Sequence, residues 1–71
     1  MIEEEILKII ADTIEEESIS KSFVLNEDIW DSLAIIVFIA AINKEFGLIL
    51  NPEEISSVKT VENLVDIVQN S

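Results

Sequence analysis

Ser32 is the residue of this chain best placed to take part in chemistry. It follows Asp31 and precedes an uninterrupted apolar run from Leu33 to Ile42. Asp31 is a favourable N-cap, because its carboxylate can accept hydrogen bonds from amide groups of a first helical turn. Ser32 would then lie in that turn, where the amides and the helix dipole stabilise an anion attached to its hydroxyl oxygen. The position therefore suits a serine that carries a phosphate group.

The composition argues against an enzyme. The chain has no histidine, cysteine or tyrosine, which excludes Ser-His-Asp and Cys-His nucleophiles and the Cys/His zinc sites. A glycine-rich phosphate loop is excluded too, because Gly47 is the single glycine. Fifteen acidic residues leave a carboxylate acid–base pair open, although 71 residues give little room for its pocket. We predict no catalytic residue and no metal site, and a Ser32 that is modified rather than catalytic.

Asp31, Ser32 and Leu33, ahead of an apolar helix, resemble the signature of the acyl carrier protein family. The likeness extends to Glu45-Phe46-Gly47, to the segment 48–54 and to a last helix that opens at Thr60. The resemblance implies that Ser32 is esterified with 4'-phosphopantetheine, with Asp31 and Leu33 as neighbours in the cofactor site. The thiol of this arm would hold acyl or aminoacyl groups as thioesters.

The resemblance also implies the partners. A phosphopantetheinyl transferase would attach the arm, a ligase would load an acyl or aminoacyl group, and downstream acyl-processing enzymes would receive it. Fatty acid, polyketide, nonribosomal peptide and cell-surface polymer pathways all remain open. The segment from Trp30 to Leu33 is more similar to a subgroup of free-standing carriers used outside the main fatty-acid pathway. The competing hypothesis is an acidic helical interaction module without a prosthetic group.

The charge bounds the partners and the location. A net charge of −11 opposes binding to nucleic acid and to anionic membranes and favours partners with basic surfaces. The first residues lead straight into Glu3-Glu4-Glu5 without a signal-like segment, which favours the cytoplasm. The apolar run at Leu33 is too short to span a bilayer. We expect a cytoplasmic monomer that does not insert into membranes.

The elements that must position Ser32 are helices. One glycine, one proline and no cysteine favour a single all-α domain over residues 1–71, held together by helix packing. Helical spacing of apolar residues predicts a first helix over 2–16, whose inner face is Ile2, Ile6, Ile9 or Ile10, Thr13 and Ile14. A loop over 18–30 follows, with four apolar residues expected to anchor it: Ile19, Phe23, Leu25 and Ile29.

Three further helices complete the prediction. The second runs from Ser32 to Phe46 and ends at Gly47. A short helix follows Asn51-Pro52 and reaches about Ser57, and Thr60 caps the last helix. The inner face of that last helix is Val61, Leu64, Val65 and Val68. The resemblance makes this a small four-helix bundle of the acyl carrier protein type, with three main helices, one short helix and a long loop after the first.

The second helix is expected to present one face to the core and one to partners. The predicted inward stripe is Leu33, Ile36, Phe38, Ile39, Ile42 and Phe46. The predicted outward, partner-binding stripe is Ala34, Val37, Ala41 and Lys44. The alternative is that the loop or the short helix covers Val37. Trp30 is interpreted as a half-buried cap over the junction of loop and helix, or else as a residue that faces a partner or the arm.

Overall fold

The computed structural model of the chain describes residues 2–70, which form four α-helices. They are α1 (Ile2–Thr13), α2 (Ser32–Phe46), α3 (Pro52–Ser56) and α4 (Val61–Gln69). Within the described residues the β structure is limited to one antiparallel bridge, between Val24 and Thr60. The predicted all-α fold, with three main helices, one short helix and a long loop after the first, is confirmed.

Helix α1 ends three residues earlier than the sequence predicted. Glu15 adopts a left-handed backbone conformation, with a φ of 59°. Its amide donates to the carbonyl of Asp12 over 3.3 Å, and the amide of Glu16 donates to that of Ala11 over 2.8 Å. These two bonds form a Schellman motif, which satisfies the last carbonyls of the helix and turns the chain away. The prediction of helix over 14–16 is therefore wrong.

The inner face of α1 follows the predicted spacing, with Ala11 in addition. Ile6, Ile10 and Ala11 are buried, and Ile9, Thr13 and Ile14 are half-buried. The side chain of Ile2, also placed on this face, lies outside the described side chains. The apolar stripe holds α1 against α2 and α4, with which it makes its contacts.

The long loop between α1 and α2 is tied to the start of α4 by backbone hydrogen bonds. The amide of Leu25 donates to the carbonyl of Lys59 over 2.8 Å, and the amide of Val61 donates to that of Phe23 over 3.0 Å. Leu25 is buried, while the other three predicted anchors, Ile19, Phe23 and Ile29, are half-buried. The loop is thus fixed by pairing and by apolar contacts, as its anchors led us to expect.

Helix α2 has the predicted bounds, but its inward face differs from the prediction. The residues buried along it are Ala34, Phe38 and Ile42, at a spacing of four. Leu33 and Ile36, predicted to point inward, are 70% and 63% exposed. The predicted inward position is confirmed for Phe38 and Ile42, which are buried, and Ile39 and Phe46 are half-buried. Gly47 ends the helix with a φ of 69°, and its amide donates to the carbonyl of Asn43 over 2.8 Å.

The last two helices begin at the predicted caps. The side-chain oxygen of Asn51 accepts the amide of Glu53 over 2.8 Å, and Pro52 is the first residue of α3. Thr60 and Asn63 form a reciprocal capping box at the start of α4. All four residues predicted for the inner face of α4 are buried: Val61, Leu64, Val65 and Val68. Helix α4 packs on α1 and α3, and α3 packs on α2 and α4.

Candidate functional site

Ser32 is the first residue of α2, and its side chain is exposed. The preceding Asp31 is the N-cap, since its Oδ1 accepts the amide of Ala34 over 2.9 Å. The carbonyl of Asp31 accepts the amide of Ile35 over 3.0 Å, which begins the intrahelical bonding. Helix geometry leaves the amides of Ser32 and Leu33 without an intrahelical acceptor. The predicted capping role of Asp31 is confirmed, and the Ser32 hydroxyl lies at the positive end of the α2 dipole.

A turn built on Asn26 fixes the approach to this helix. The Asn26 side-chain oxygen accepts the amides of Asp28 and Ile29, over 3.0 and 3.1 Å. The carbonyl of Asn26 accepts the amide of Trp30 over 2.7 Å. The sequence analysis predicted a loop over 18–30 but not this role of Asn26. The available signal was an asparagine that can bond its own backbone two residues on, as in an Asx turn.

Trp30 is a core residue rather than a half-buried cap. Its side chain is 5% exposed, and its indole Nε1 donates to the carbonyl of Ile55 in α3 over 2.9 Å. Its ring meets that of Phe38 edge to face, with centroids 5.6 Å apart. The interpretation that Trp30 faces a partner or the arm is wrong, because the indole is enclosed by α2 and α3. This tryptophan therefore links the start of α2 to α3.

The outward face of α2 is apolar, as predicted, but it consists of different residues. We call Leu33, Ile36, Val37 and Ala40 the α2 surface strip; all four are exposed, Val37 at 46%. Of the residues predicted for partner binding, only Val37 belongs to it. Ala34 is buried, at 9% exposure, because it faces the core one turn before Phe38, and Ala41 is half-buried. Val37 and Lys44 are exposed, as expected, and Val37 is not covered by the loop or by α3.

An open groove of about 360 Å³ lies beside the serine, between the end of α1 and the start of α2. Three of its lining side chains are carboxylates, Glu15, Asp28 and Asp31, and five are apolar: Ile14, Ile29, Leu33, Ala34 and Val37. These carboxylates are exposed, so the surroundings of Ser32 are negatively charged. A molecule that approaches the hydroxyl meets less repulsion if its contact surface is positively charged.

Residues 2–70 contain neither a candidate metal site nor a candidate membrane-spanning helix. In this part of the chain, no group of three or more acidic residues is close enough together to hold a metal ion. None of the helices described there has the length and apolarity needed to cross a membrane. The arrangement around Ser32 therefore stands as the candidate site.

Comparison with known proteins agrees with this geometry. The family model described as phosphopantetheine attachment site matches residues 4–68. An acyl carrier protein from Petrotoga mobilis is 32% identical over 68 residues, which cover 92% of this chain and 80% of that protein. An acyl carrier protein from Coprothermobacter proteolyticus is 30% identical over 71 residues, covering 96% of this chain and 87% of that protein. No solved structure matches the chain significantly.

Proposed function

This chain belongs to the acyl carrier protein family, whose members carry phosphopantetheine, and we propose that Ser32 is the residue to which the arm is attached. The observation that carries the proposal is the exposed hydroxyl at the first position of α2, directly after the capping Asp31. The phosphate of the arm would lie where the free amides of the first turn and the helix dipole favour an anion. The thiol of the bound arm supplies the thioester linkage that holds an acyl group.

Attachment requires only that Ser32 be reachable and correctly oriented. The Ser32 Oγ would attack the phosphorus of coenzyme A nearest to the pantetheine. A new oxygen–phosphorus bond forms as the bond to the second phosphorus breaks, and adenosine 3',5'-bisphosphate leaves. The serine proton passes to a base of the phosphopantetheinyl transferase. The resemblance to other carriers implies a second task for Asp31 in this step, near the metal of the transferase complex, and its exposed carboxylate would be available for that contact.

The carrier is expected to meet its partner enzymes through the α2 surface strip. The strip starts at Leu33, immediately after the serine, and continues along α2 through Ile36, Val37 and Ala40. Burial of such side chains is worth about 25 cal/mol per Å² of apolar surface. Lys44 extends the same side of the helix with a positive charge, while the acidic remainder of the chain favours basic partner surfaces. The transferase, a loading ligase and downstream acyl-processing enzymes are the proposed partners.

The assignment of Ser32 is tested by incubating the apo chain with coenzyme A and a phosphopantetheinyl transferase, followed by intact mass measurement. The wild-type chain should gain the mass of one phosphopantetheine, and Ser32→Ala should gain none. Alanine is a good helix former, so the helical circular dichroism of Ser32→Ala should match that of the wild type. Ser18→Ala, which changes an exposed serine of the loop, is the control and should be modified normally.

Two results would count against the proposal. Modification that persists in Ser32→Ala would move the attachment to another residue. A wild-type chain that several transferases leave unmodified would instead favour the acidic interaction module without an arm. The net charge of −11 makes copies of the chain repel one another, which supports a monomeric carrier.

A further inference from the structure

One large side chain fills the space between the start of α2 and α3. Trp30 comes two residues before Ser32, yet it is 5% exposed and lies between α2 and α3. Phe38, which its ring contacts, and Ile55, whose carbonyl it bonds, are both fully buried. The indole therefore packs the start of α2 against α3, and it belongs to the residue two positions before Ser32.

The indole is held in place by more than packing. Its Nε1–H is bonded to the Ile55 carbonyl over 2.9 Å, and its ring meets Phe38 at an interplanar angle of 64°. If an alkyl chain displaced the ring, a buried N–H and a buried carbonyl would both lose their partner, which is unfavourable. Protein interiors are close-packed and do not widen without cost. Two factors therefore oppose the entry of an alkyl chain between α2 and α3: the lack of free volume and the loss of the indole hydrogen bond.

The other side of α2 offers no equivalent shelter. The groove between the end of α1 and the start of α2 is open to water, and the carboxylates of Glu15, Asp28 and Asp31 lie among its apolar lining residues. A long alkyl chain laid there would stay largely in contact with water and with charged groups, which disfavours each additional methylene. Short or polar acyl groups expose little alkyl surface to water, so they are not disfavoured in this way.

We propose that Trp30 closes the space between α2 and α3 to cargo, so that this carrier takes short or polar acyl groups that remain outside its core. This inference rests on Ser32 as the attachment residue and adds the class of cargo to the proposed function. The indole acts here as a filling and positioning residue. It does not touch the arm.

The test uses the full chain, loaded by a transferase from acetyl-, butyryl-, octanoyl- and dodecanoyl-coenzyme A, with intact mass to verify each product. Trp30 is the single tryptophan of the chain, so its fluorescence reports on this interior alone. The wild-type products should share one emission maximum and one thermal midpoint, whatever the chain length. If octanoyl or dodecanoyl raises the midpoint above that of acetyl and shifts the emission, the chain enters the core and the inference is overturned.

Trp30→Ala gives the complementary result. Removal of the indole should open a cavity, so that the octanoyl form of Trp30→Ala melts at a higher temperature than its acetyl form. Val68→Ala is the matched control, because it also truncates a buried side chain but lies on α4, which packs on α1 and α3. The acetyl and octanoyl forms of Val68→Ala should have the same melting temperature. If Trp30→Ala does not fold, the wild-type series decides alone; if it folds and shows no dependence on chain length, the indole is not what excludes the cargo.

The failures of this inference and of the proposed function are distinguishable. A chain that accepts no acyl-phosphopantetheine by mass overturns the proposed function, and the inference with it. A chain that is loaded and then stabilised by longer acyl groups overturns the inference alone.

Discussion

The carboxylate of Asp31 has a structural task in the free protein and a proposed second task during modification. As the N-cap it accepts the Ala34 amide over 2.9 Å, and it remains exposed beside Ser32. Asp31→Ala should lower the free energy of unfolding by about 0.5–2 kcal/mol, because the cap bond is lost. Modification of Ser32 by the transferase should slow as well. Urea unfolding and a mass-based rate of modification measure the two effects.

Asp31→Asn separates the two tasks. Asparagine caps a helix about as well as aspartate, so the stability of Asp31→Asn should stay close to that of the wild type. It lacks the charge that the proposed metal contact needs, so its modification should still be slow. Normal modification of Asp31→Asn would leave the aspartate with its capping role alone.

The end of helix α1 depends on an unusual backbone conformation at Glu15. Left-handed conformations cost residues with a side chain roughly 1–2 kcal/mol, whereas glycine adopts them freely but loses more entropy on folding. Glu15→Gly should therefore raise the free energy of unfolding by a net amount of about 0.5–1 kcal/mol. Thermal and urea unfolding would measure the gain.

Glu15→Gln is the matched control for this change. It removes the negative charge near the carboxyl end of α1 but keeps the strained conformation, so only a few tenths of a kcal/mol should be gained. If Glu15→Gln stabilises as much as Glu15→Gly, the charge and not the backbone conformation limits the stability there.

How well each helix was predicted depended on the polar residues along it. In α4, Glu62 and Asp66 alternate with apolar residues, and the predicted inner face is the buried one. In α2, the run from Leu33 to Ile42 contains no polar residue to define the outer side. Hydrophobic periodicity then gives the presence of a helix without its rotation about the axis. The exposed positions of Leu33 and Ile36 could not be inferred, because the bulk of Trp30 and the neighbouring helices decide which side faces the core.

The exposed apolar face of α2 can be tested as a docking surface by adding a charge to it. Ile36 is 63% exposed within the α2 surface strip, so Ile36→Glu should fold normally. If partners bind the strip, this change should weaken acyl transfer by about 1–2 kcal/mol, or roughly 5–30-fold in kcat/KM. Ile49→Glu is the control, because Ile49 is 88% exposed but lies in the turn after α2 rather than on the strip. Equal loss in both variants would show that added negative charge, rather than the strip, reduces transfer.

Across the whole molecule, four helix caps were predicted correctly, whereas the turns at Asn26 and Glu15 and the tertiary hydrogen bonds were not. Asp31, Gly47, Asn51 and Thr60 all act at their predicted helix ends, since capping depends on chemistry within a few residues. The bond from Trp30 to Ile55 and the pairing of the loop with the start of α4 join residues far apart in the chain. No local pattern encodes such contacts. For this reason the position of Ser32 at the start of α2 was predicted from sequence, while the burial of Trp30 against α3 was not.

The charge of the whole molecule sets the last prediction. Fifteen acidic residues face four basic ones, and residues 2–70 contain one ion pair, Lys21 with Glu3 at 3.2 Å. This pair is partly exposed and contributes little, so the repulsion among the carboxylates is largely uncompensated. Salt screens exposed charges beyond about 10 Å at 0.1 M, and each kcal/mol gained raises the melting temperature of a domain this small by about 4–8 °C. The melting temperature should therefore rise from low salt to 0.5 M sodium chloride.

Magnesium chloride of equal ionic strength should act similarly, because the described acidic residues form no cluster of metal ligands. A much larger rise with magnesium would reveal site binding by neighbouring carboxylates, and a flat response to both salts would mean that the repulsion does not limit stability.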